Sequence, residues 1–403
     1  MGSAEDSSKR CGLPAGSAFT LLACCGLVLV GCPATDPQQV TMDEPTAHPA
    51  IGPQTNAPQA NEPLANAPQA NEPQANSPQG NEPAAEAEAA EGGADEANGH
   101  GSEHAALDFD RLGERTFPPG PFTHTALLNA LREGRSREFK PVGHTSVVFR
   151  MRMDGEHTAA YRPRTRRHRR GHIAEVAAYA VGRLLEFDNV APAIMRTELR
   201  RRISERLHPR YDDAGTWQDL EDSIFYRSPF ETPGAAIYWI PELTSSDLDS
   251  EEGRERWGAW LGEGNVPTGE ETLARDLSNM RLFDYLVANW DRFSGGNLKT
   301  AGEGGRIVLR DHNGAFAALS TANERRLRRA LAQTQKFSRR TVETLGAITA
   351  EALVEGGAQL GLVGANALRA SELAAFMERV RTARSIVGAR IERLGEARVL
   401  VFP

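Results

Sequence analysis

From Asn56 the chain repeats Asn-x-Pro-x-small every five residues, at Asn56, Asn61, Asn66, Asn71, Asn76 and Asn81. Prolines at that density stop helices and withhold donors from strand ladders, and almost no large apolar group is present to bury. A five-residue proline period also offers no apolar face on which repeats could stack, which argues against a solenoid. Glu82 to Glu103 continues with an acidic, alanine- and glycine-rich stretch. Residues 33–104 therefore read as a disordered, extended tether, and only residues 105–403 as a foldable unit. That unit is long enough to bury about 75% of its extended surface.

The first 32 residues have a different character. Lys9 and Arg10 precede an apolar run from Ala18 to Val30, and Leu29-Val30-Gly31-Cys32 closes it. The run is too short to span a bilayer comfortably and turns polar abruptly, which predicts a lipoprotein signal peptide over residues 1–32. Cys32 is the expected lipidation site, with Cys24 as the alternative. Cleavage at Cys24 would leave Leu27 to Val30 exposed beside the anchor. The expectation is a protein held to a membrane of the bacterial cell envelope by lipid and otherwise soluble. All four cysteines, Cys11, Cys24, Cys25 and Cys32, lie in this leader. The foldable unit must therefore hold together without disulfides or cysteine-ligated metal.

Charge divides along the same boundary. Residues 1–104 carry 14 Asp and Glu against 2 Lys and Arg, leaving 40 against 44 in residues 105–403. A nearly neutral domain argues against nucleic acid as its partner. Its only lysines are Lys140, Lys299 and Lys336. Two dense basic runs stand out, Arg164 to Arg170 and Arg325 to Arg329, each readable as a solvated segment or as the wall of an anionic groove.

Periodicity separates the unit into two halves. Thr145 to Met153, Asp154-Gly155 and Thr158 to Arg162 read as a β-hairpin. His172 to Leu185 carries Ile173, Val176, Ala177, Ala180, Val181 and Leu184 at helical spacing, with Glu175 near the edge of that apolar face. Ala236 to Ile240 reads as a strand after a polar insertion. From Glu271 the chain is mostly helical: one helix runs through Leu273, Leu277, Met280, Phe283, Leu286 and Val287, and further helices cover Arg339 to Leu360 and Ala367 to Leu394. A short strand over Arg306 to Arg310 interrupts them. The expected class is α+β: a bilobal, protein-kinase-like fold with a small β-rich N-lobe at 105–245 and a larger helical C-lobe at 246–403.

The chemistry-bearing residues lie in the second half. Asp291 follows the long helix, Asn297 follows a Gly-Gly pair, and Asp311-His312-Asn313-Gly314 closes the short strand. Phosphoryl transfer needs a carboxylate to orient the attacking hydroxyl and a second, helped by an amide oxygen, to hold a hard cation. Asp291, Asp311 and Asn297 supply those groups. The bland alternatives are a helix-end ion pair for Asp291-Arg292, a tight turn for Asn313-Gly314 and a hydrogen-bonded structural role for His312. Trp239, Trp257, Trp260 and Trp290 lack regular spacing and read as core or lobe-interface residues.

Taken in order, Tyr161-Arg162-Pro163, Glu175-Val176-Ala177-Ala178-Tyr179, Val190-Ala191-Pro192, Trp239-Ile240-Pro241-Glu242-Leu243, Phe283-Asp284-Tyr285-Leu286, Asn289-Trp290-Asp291-Arg292 and Asp311-His312-Asn313-Gly314 resemble the Four-jointed-like kinases of the Golgi secretory-pathway family. The resemblance covers about Gly143 to Phe316. It implies ATP or another nucleoside triphosphate with Mg2+ or Mn2+ as cofactors, and a hydroxyl of an exported protein or glycan as acceptor. It makes Asp291 the catalytic carboxylate, Asp311 the metal ligand with Asn297 assisting, and Arg162 with Glu175 the phosphate-positioning pair. Three departures accompany it. Arg162 stands where most kinases place lysine, so Lys140 or Arg164 is an alternative source of that contact. Asn297 lies six residues after Asp291 where five is usual, and the cysteines of the animal relatives are missing. The alternatives to an active kinase are a pseudokinase that binds without turnover and a purely structural surface lipoprotein.

Overall fold

The expected hairpin forms, and its register follows from side-chain alternation. In a computed structural model describing residues 110–403, apart from 119, 143–145, 212–213, 295 and 303, strand β2 (Phe149–Met153) buries Phe149, Met151 and Met153 and exposes Arg150 and Arg152. A period of two with one buried face specifies the pairing strongly. β2 pairs antiparallel with β3 (Thr158–Pro163) across the Asp154-Gly155 turn, where Gly155 adopts φ +73°. The predicted lipidation site Cys32, its alternative Cys24, the tether and Gly143 lie outside the described residues.

The hairpin is part of a five-stranded antiparallel sheet in the order β1-β2-β3-β5-β4, with β1 at Ser136–Pro141, β4 at Ala193–Leu199 and β5 at Glu231–Tyr238. Helix α1 (His124–Glu133) precedes it. The polar insertion expected after Ile194 is partly structured: β4 continues to Leu199 and leads into α3 (Arg200–Glu205) and α4 (Ala214–Ser223). This sheet and its helices form the small lobe.

Helix α2 (Gly171–Leu184) corrects the sequence reading in one respect. Helical spacing placed Glu175 near the edge of one apolar face, yet every residue of α2 is buried. Its small residues let neighbours approach on all sides, as in a helix apolar all round. A Cβ added at Gly182 would stand 2.7 Å from Val190 Cγ2, which shows how closely the chain after the helix folds back on it.

The larger lobe contains α5 (Glu251–Leu261), α6 (Glu271–Val287), α7 (Thr321–Gln333), α8 (Arg339–Ala347), α9 (Ala350–Gln359), α10 (Ala370–Leu394) and α11 (Glu396–Val399). The helix expected over Arg339 to Leu360 is broken in two, because Thr349 leaves the helical conformation and caps α9 through a bond from Ala352 N. A small sheet of β6 (Thr244–Ser245), β7 (Lys299–Ala301) and β8 (Arg306–Val308) joins the lobes. Among the described residues no helix is long and apolar enough to cross a membrane.

Candidate active site

Sheet register places the loops that carry the separated carboxylates side by side. β7 and β8 pair antiparallel, with Lys299 opposite Val308 and Ala301 opposite Arg306, so the loop entering β7 and the loop leaving β8 are neighbours. The first loop carries Asp291 and Asn297, the second Asp311. Guanidinium-to-carbonyl bonds tie them: Arg292 Nη1 donates to Arg310 O at 3.0 Å, and Arg310 Nη2 donates to Gly296 O at 3.3 Å.

The Asp291-Arg292 pair resolves into two different roles. α6 ends at Ala288 in the left-handed region (φ 60°), and the chain turns so that Arg292 folds back on Asp284 within the helix. Its Nη2 donates to Asp284 Oδ1 at 2.8 Å and its Nε to Oδ2 at 3.0 Å, with both side chains almost wholly buried. Asn289 Nδ2 adds a third bond to Asp284 Oδ1 at 3.2 Å. Burial pushes the Asp284 carboxyl up, against the pull of Arg292. Arg292 is therefore a structural residue, and among the described residues no cation pairs with the half-exposed Asp291 carboxylate. Asn297 Nδ2 donates to the Asp291 carbonyl at 3.0 Å. That bond leaves the amide oxygen as the end of Asn297 available to a cation.

Arg162 occupies the centre. From β3 its Nη2 donates to Asp311 Oδ1 at 2.8 Å and its Nη1 to Ser146 Oγ at 3.1 Å, while Nε lies 3.2 Å from Glu175 Oε1 as an ion pair without hydrogen-bond alignment. Glu175 Oε2 accepts the His312 backbone N–H at 2.9 Å. One guanidinium thus joins α2, the loop before β2 and the loop after β8. Burial pushes the Glu175 pKa up to about 7, against the pull of Arg162, with the Asp311 charge adding to the rise. Asp311 keeps 30% of its side chain exposed and adopts φ 60°, a left-handed conformation that a non-glycine residue holds only when its surroundings impose it.

The remaining candidates fall elsewhere. Lys140 lies on the same sheet face as Arg162, but two strands away, opposite Arg150. It is not part of the Arg162–Glu175–Asp311 cluster. The Arg164 guanidinium sits 4.0 Å above the Phe225 ring, directed at the insertion rather than the cleft. His312 is buried edge-on against Phe283, but neither ring nitrogen makes a hydrogen bond among the described residues, so the hydrogen-bonded role expected for it is not seen. Trp257 is core, but Trp290 is 39% exposed beside Asp291, contrary to the expectation of a packed residue. Its carbonyl accepts Arg326 Nη2 at 2.5 Å, so the second basic run borders the Asp291 loop. The first run borders a cavity of about 460 Å³ walled by Ser146 to Val148, Arg166 to His168 and, opposite them, Asp219 and Asp222. Sequence reasoning missed the structural role of Asp284. Its only signal was the acidic residue inside an otherwise apolar helical stripe, eight positions before Arg292.

No three His, Cys, Asp or Glu side chains gather as a preformed metal cage among the described residues. The donors present, Asp311 and Asn297, are hard oxygens, the kind that Mg2+ and Mn2+ share with nucleotide phosphates.

A β3 cation paired to a helix glutamate and a carboxylate at the end of a β-strand, with a second carboxylate on the adjoining loop, sit within a bilobal, protein-kinase-like fold. Comparison with solved structures gives the particular relatives. The chain is similar to a crystal structure of the Golgi casein kinase with Mn and ADP bound, at 18% identity, TM-score 0.53, covering 69% of this chain and 78% of that one. It is also similar to a second Golgi casein kinase structure (17%, TM-score 0.51, 69% and 78%) and to hydra Fam20 with sugar (14%, TM-score 0.51, 68% and 91%). The chain has the fold of these secretory-pathway kinases. No family model and no curated protein sequence matches it.

Proposed function

We propose that this chain is a phosphotransferase that moves a phosphoryl group from a nucleoside triphosphate to a hydroxyl of an exported protein or glycan. The observation that carries the reading is the Arg162–Glu175–Asp311 cluster, assembled beside the Asp291 loop. In that role Arg162 holds phosphate oxygens through a planar fork, and buried Glu175 keeps the fork in place. Asp311 with Asn297 would hold Mg2+ or Mn2+, which supplies neutralisation of phosphate charge when bound. Asp291, with no cation partner among the described residues, orients the acceptor hydroxyl and accepts its proton. The Golgi casein kinase relative, solved with Mn and ADP, supports the choice of cofactors. Lipid attachment at Cys32 would place this activity at the surface of a cell-envelope membrane.

A second reading has one observation in its favour. Arg162 pairs directly with Asp311 Oδ1, so a cation binding at Asp311 competes with that ion pair. A pseudokinase that binds nucleotide without turnover fits that competition. Incubating the full chain with labelled ATP, each divalent cation and hydroxyl-bearing protein or glycan acceptors separates the readings, with Asp311→Ala as control. Metal-dependent transfer lost in the control supports the kinase; a nucleotide-induced thermal shift without transfer supports the pseudokinase. No shift and no transfer removes both.

A further inference from the structure

We propose that Arg170 and Glu372 are positioning residues for the Arg162–Glu175–Asp311 cluster, holding the start of α2 in place from the C-terminal helix α10; the proposal deepens the phosphotransferase reading and rests on it. Arg170 immediately precedes α2. Its Nε donates to Glu372 Oε1 at 2.7 Å and its Nη2 to Glu372 Oε2 at 2.5 Å, and Nη2 also donates to Ala367 O at 3.0 Å. The pair is largely shielded, at 24% and 14% side-chain exposure. A two-point bond between guanidinium and carboxylate fixes orientation as well as distance.

Each end of this bridge is set by something rigid. Glu372 is the third residue of α10, where its Oε2 accepts the Arg369 backbone N–H at 2.8 Å, and α10 buries Phe376, Val380, Ala383 and Val387. On the other side, α2 has no side-chain cap and no acidic residue in its first turn, so no side chain of its own secures that end. Gly171, next to Arg170, lies against the metal loop: a Cβ there would stand 3.3 Å from Asn313 Cβ and 3.4 Å from Asn313 O. One turn later Glu175 receives His312 N–H and faces Arg162. Movement of the first turn of α2 would therefore shift Glu175 and the 311–314 loop together. The segment from Ala315 to Ser320, between that loop and α7, is six residues long and begins with buried Ala315 and Phe316. So short a segment has no spare length to brace α2, and the bridge from α10 takes that task.

The test uses the full chain with Glu372→Gln, Arg170→Ala, Arg170→Lys and the charge swap Arg170→Glu/Glu372→Arg. Glutamine at 372 still caps α10 through its amide oxygen, so α10 stays formed while the ion pair is lost. The expected result for Glu372→Gln is a kcat lower by about tenfold with nucleotide KM changed less than about threefold and an unchanged melting midpoint. Arg170→Lys should keep part of kcat, and the swap should retain more of it than Arg170→Glu or Glu372→Arg made alone. Unchanged kcat in both Glu372→Gln and Arg170→Ala overturns the proposal, as does a kcat loss that only follows a lowered melting midpoint. If the native chain transfers no phosphoryl group, the kinase reading fails, and amide hydrogen exchange then decides the positioning claim. Exchange about tenfold faster in residues 171–176 and 311–314, with α10 unaffected, supports it, and equal exchange overturns it.

Discussion

Arg162 and Asp311, 149 residues apart in sequence, meet at 2.8 Å, and Glu175 stands 3.2 Å from the same guanidinium. Three elements from two lobes therefore depend on one side chain. A buried cation shared by two carboxylates is well satisfied, whereas either carboxylate alone would be left near another negative charge.

Removing Arg162 should separate its two effects. Arg162→Ala should lower kcat/KM for nucleotide by at least about 100-fold, and Arg162→Lys, which keeps the charge but not the fork, by about tenfold. Without nucleotide, Arg162→Ala should bind Mn2+ more tightly than the native chain, because Asp311 loses its competing partner. Titration calorimetry with the cation alone measures this; weaker binding in the variant would contradict the competition.

The Glu175 carboxyl is raised from 4.5 to about 7 by burial. The folded chain thus binds a proton that the unfolded chain has released between those values. The associated stability is complete below the lower value and is lost as pH rises through about 7, an effect of roughly 3 kcal/mol. Activity should run the opposite way, since the Arg162–Glu175 ion pair is complete only above about 7. The expected profile of kcat/KM rises with an apparent pKa near 7, and Glu175→Gln should lack that rise. A profile flat from pH 6 to 8 in the native chain would remove Glu175 from the ionisation.

Arg292 should behave as a stability residue more than a chemical one. Arg292→Ala leaves Asp284 buried and unpaired, which should cost about 3–5 kcal/mol in urea unfolding. Replacing the pair together, as Asp284→Leu/Arg292→Met, should recover much of that loss. Asp291→Ala, by contrast, should leave the unfolding midpoint within about 0.5 kcal/mol while abolishing transfer. Equal destabilisation by Arg292→Ala and Asp291→Ala would erase the distinction drawn between the neighbours.

The contact behind α2 gives a packing prediction. Gly182→Ala gains helix propensity of about 1 kcal/mol but drives a methyl to within 2.7 Å of Val190 Cγ2. Overpacking in a closed core outweighs the gain, so a net loss of about 1–2 kcal/mol is expected. Val190→Ala in the same chain should relieve only part of the Gly182→Ala loss in a thermal-melt cycle, because the Val190 Cβ that alanine keeps would itself stand 2.9 Å from the added methyl.

Local patterns made much of this protein legible from its residues. The alternation Phe149-Arg150-Met151-Arg152-Met153 gave a half-buried strand, Asp154-Gly155 gave its turn, and the apolar spacing of Leu277, Met280, Phe283 and Val287 gave the helix before Asp291. These features depend on neighbours a few positions away, where chain connectivity already limits the geometry. Candidate groups at 291, 297 and 311 could be named for the same reason, from residue type beside a strand or helix end, whereas Arg162 and Glu175 were singled out by the resemblance to the Four-jointed-like kinases.

Tertiary structure alone decided which of those groups touch. Glu175 looked like an edge residue because a helical period reports one apolar face, and only packing of the five-stranded sheet, α6 and α9 around α2 buries its other side. Arg292 read equally well as a partner for Asp291, and it pairs with Asp284 because the left-handed turn at Ala288 reverses the chain. The bridge from Arg170 to Glu372 spans 202 residues and leaves no periodic trace. Sequence spacing limits conformation over a few residues, whereas contacts across a hundred or more are set by which surfaces exclude water together.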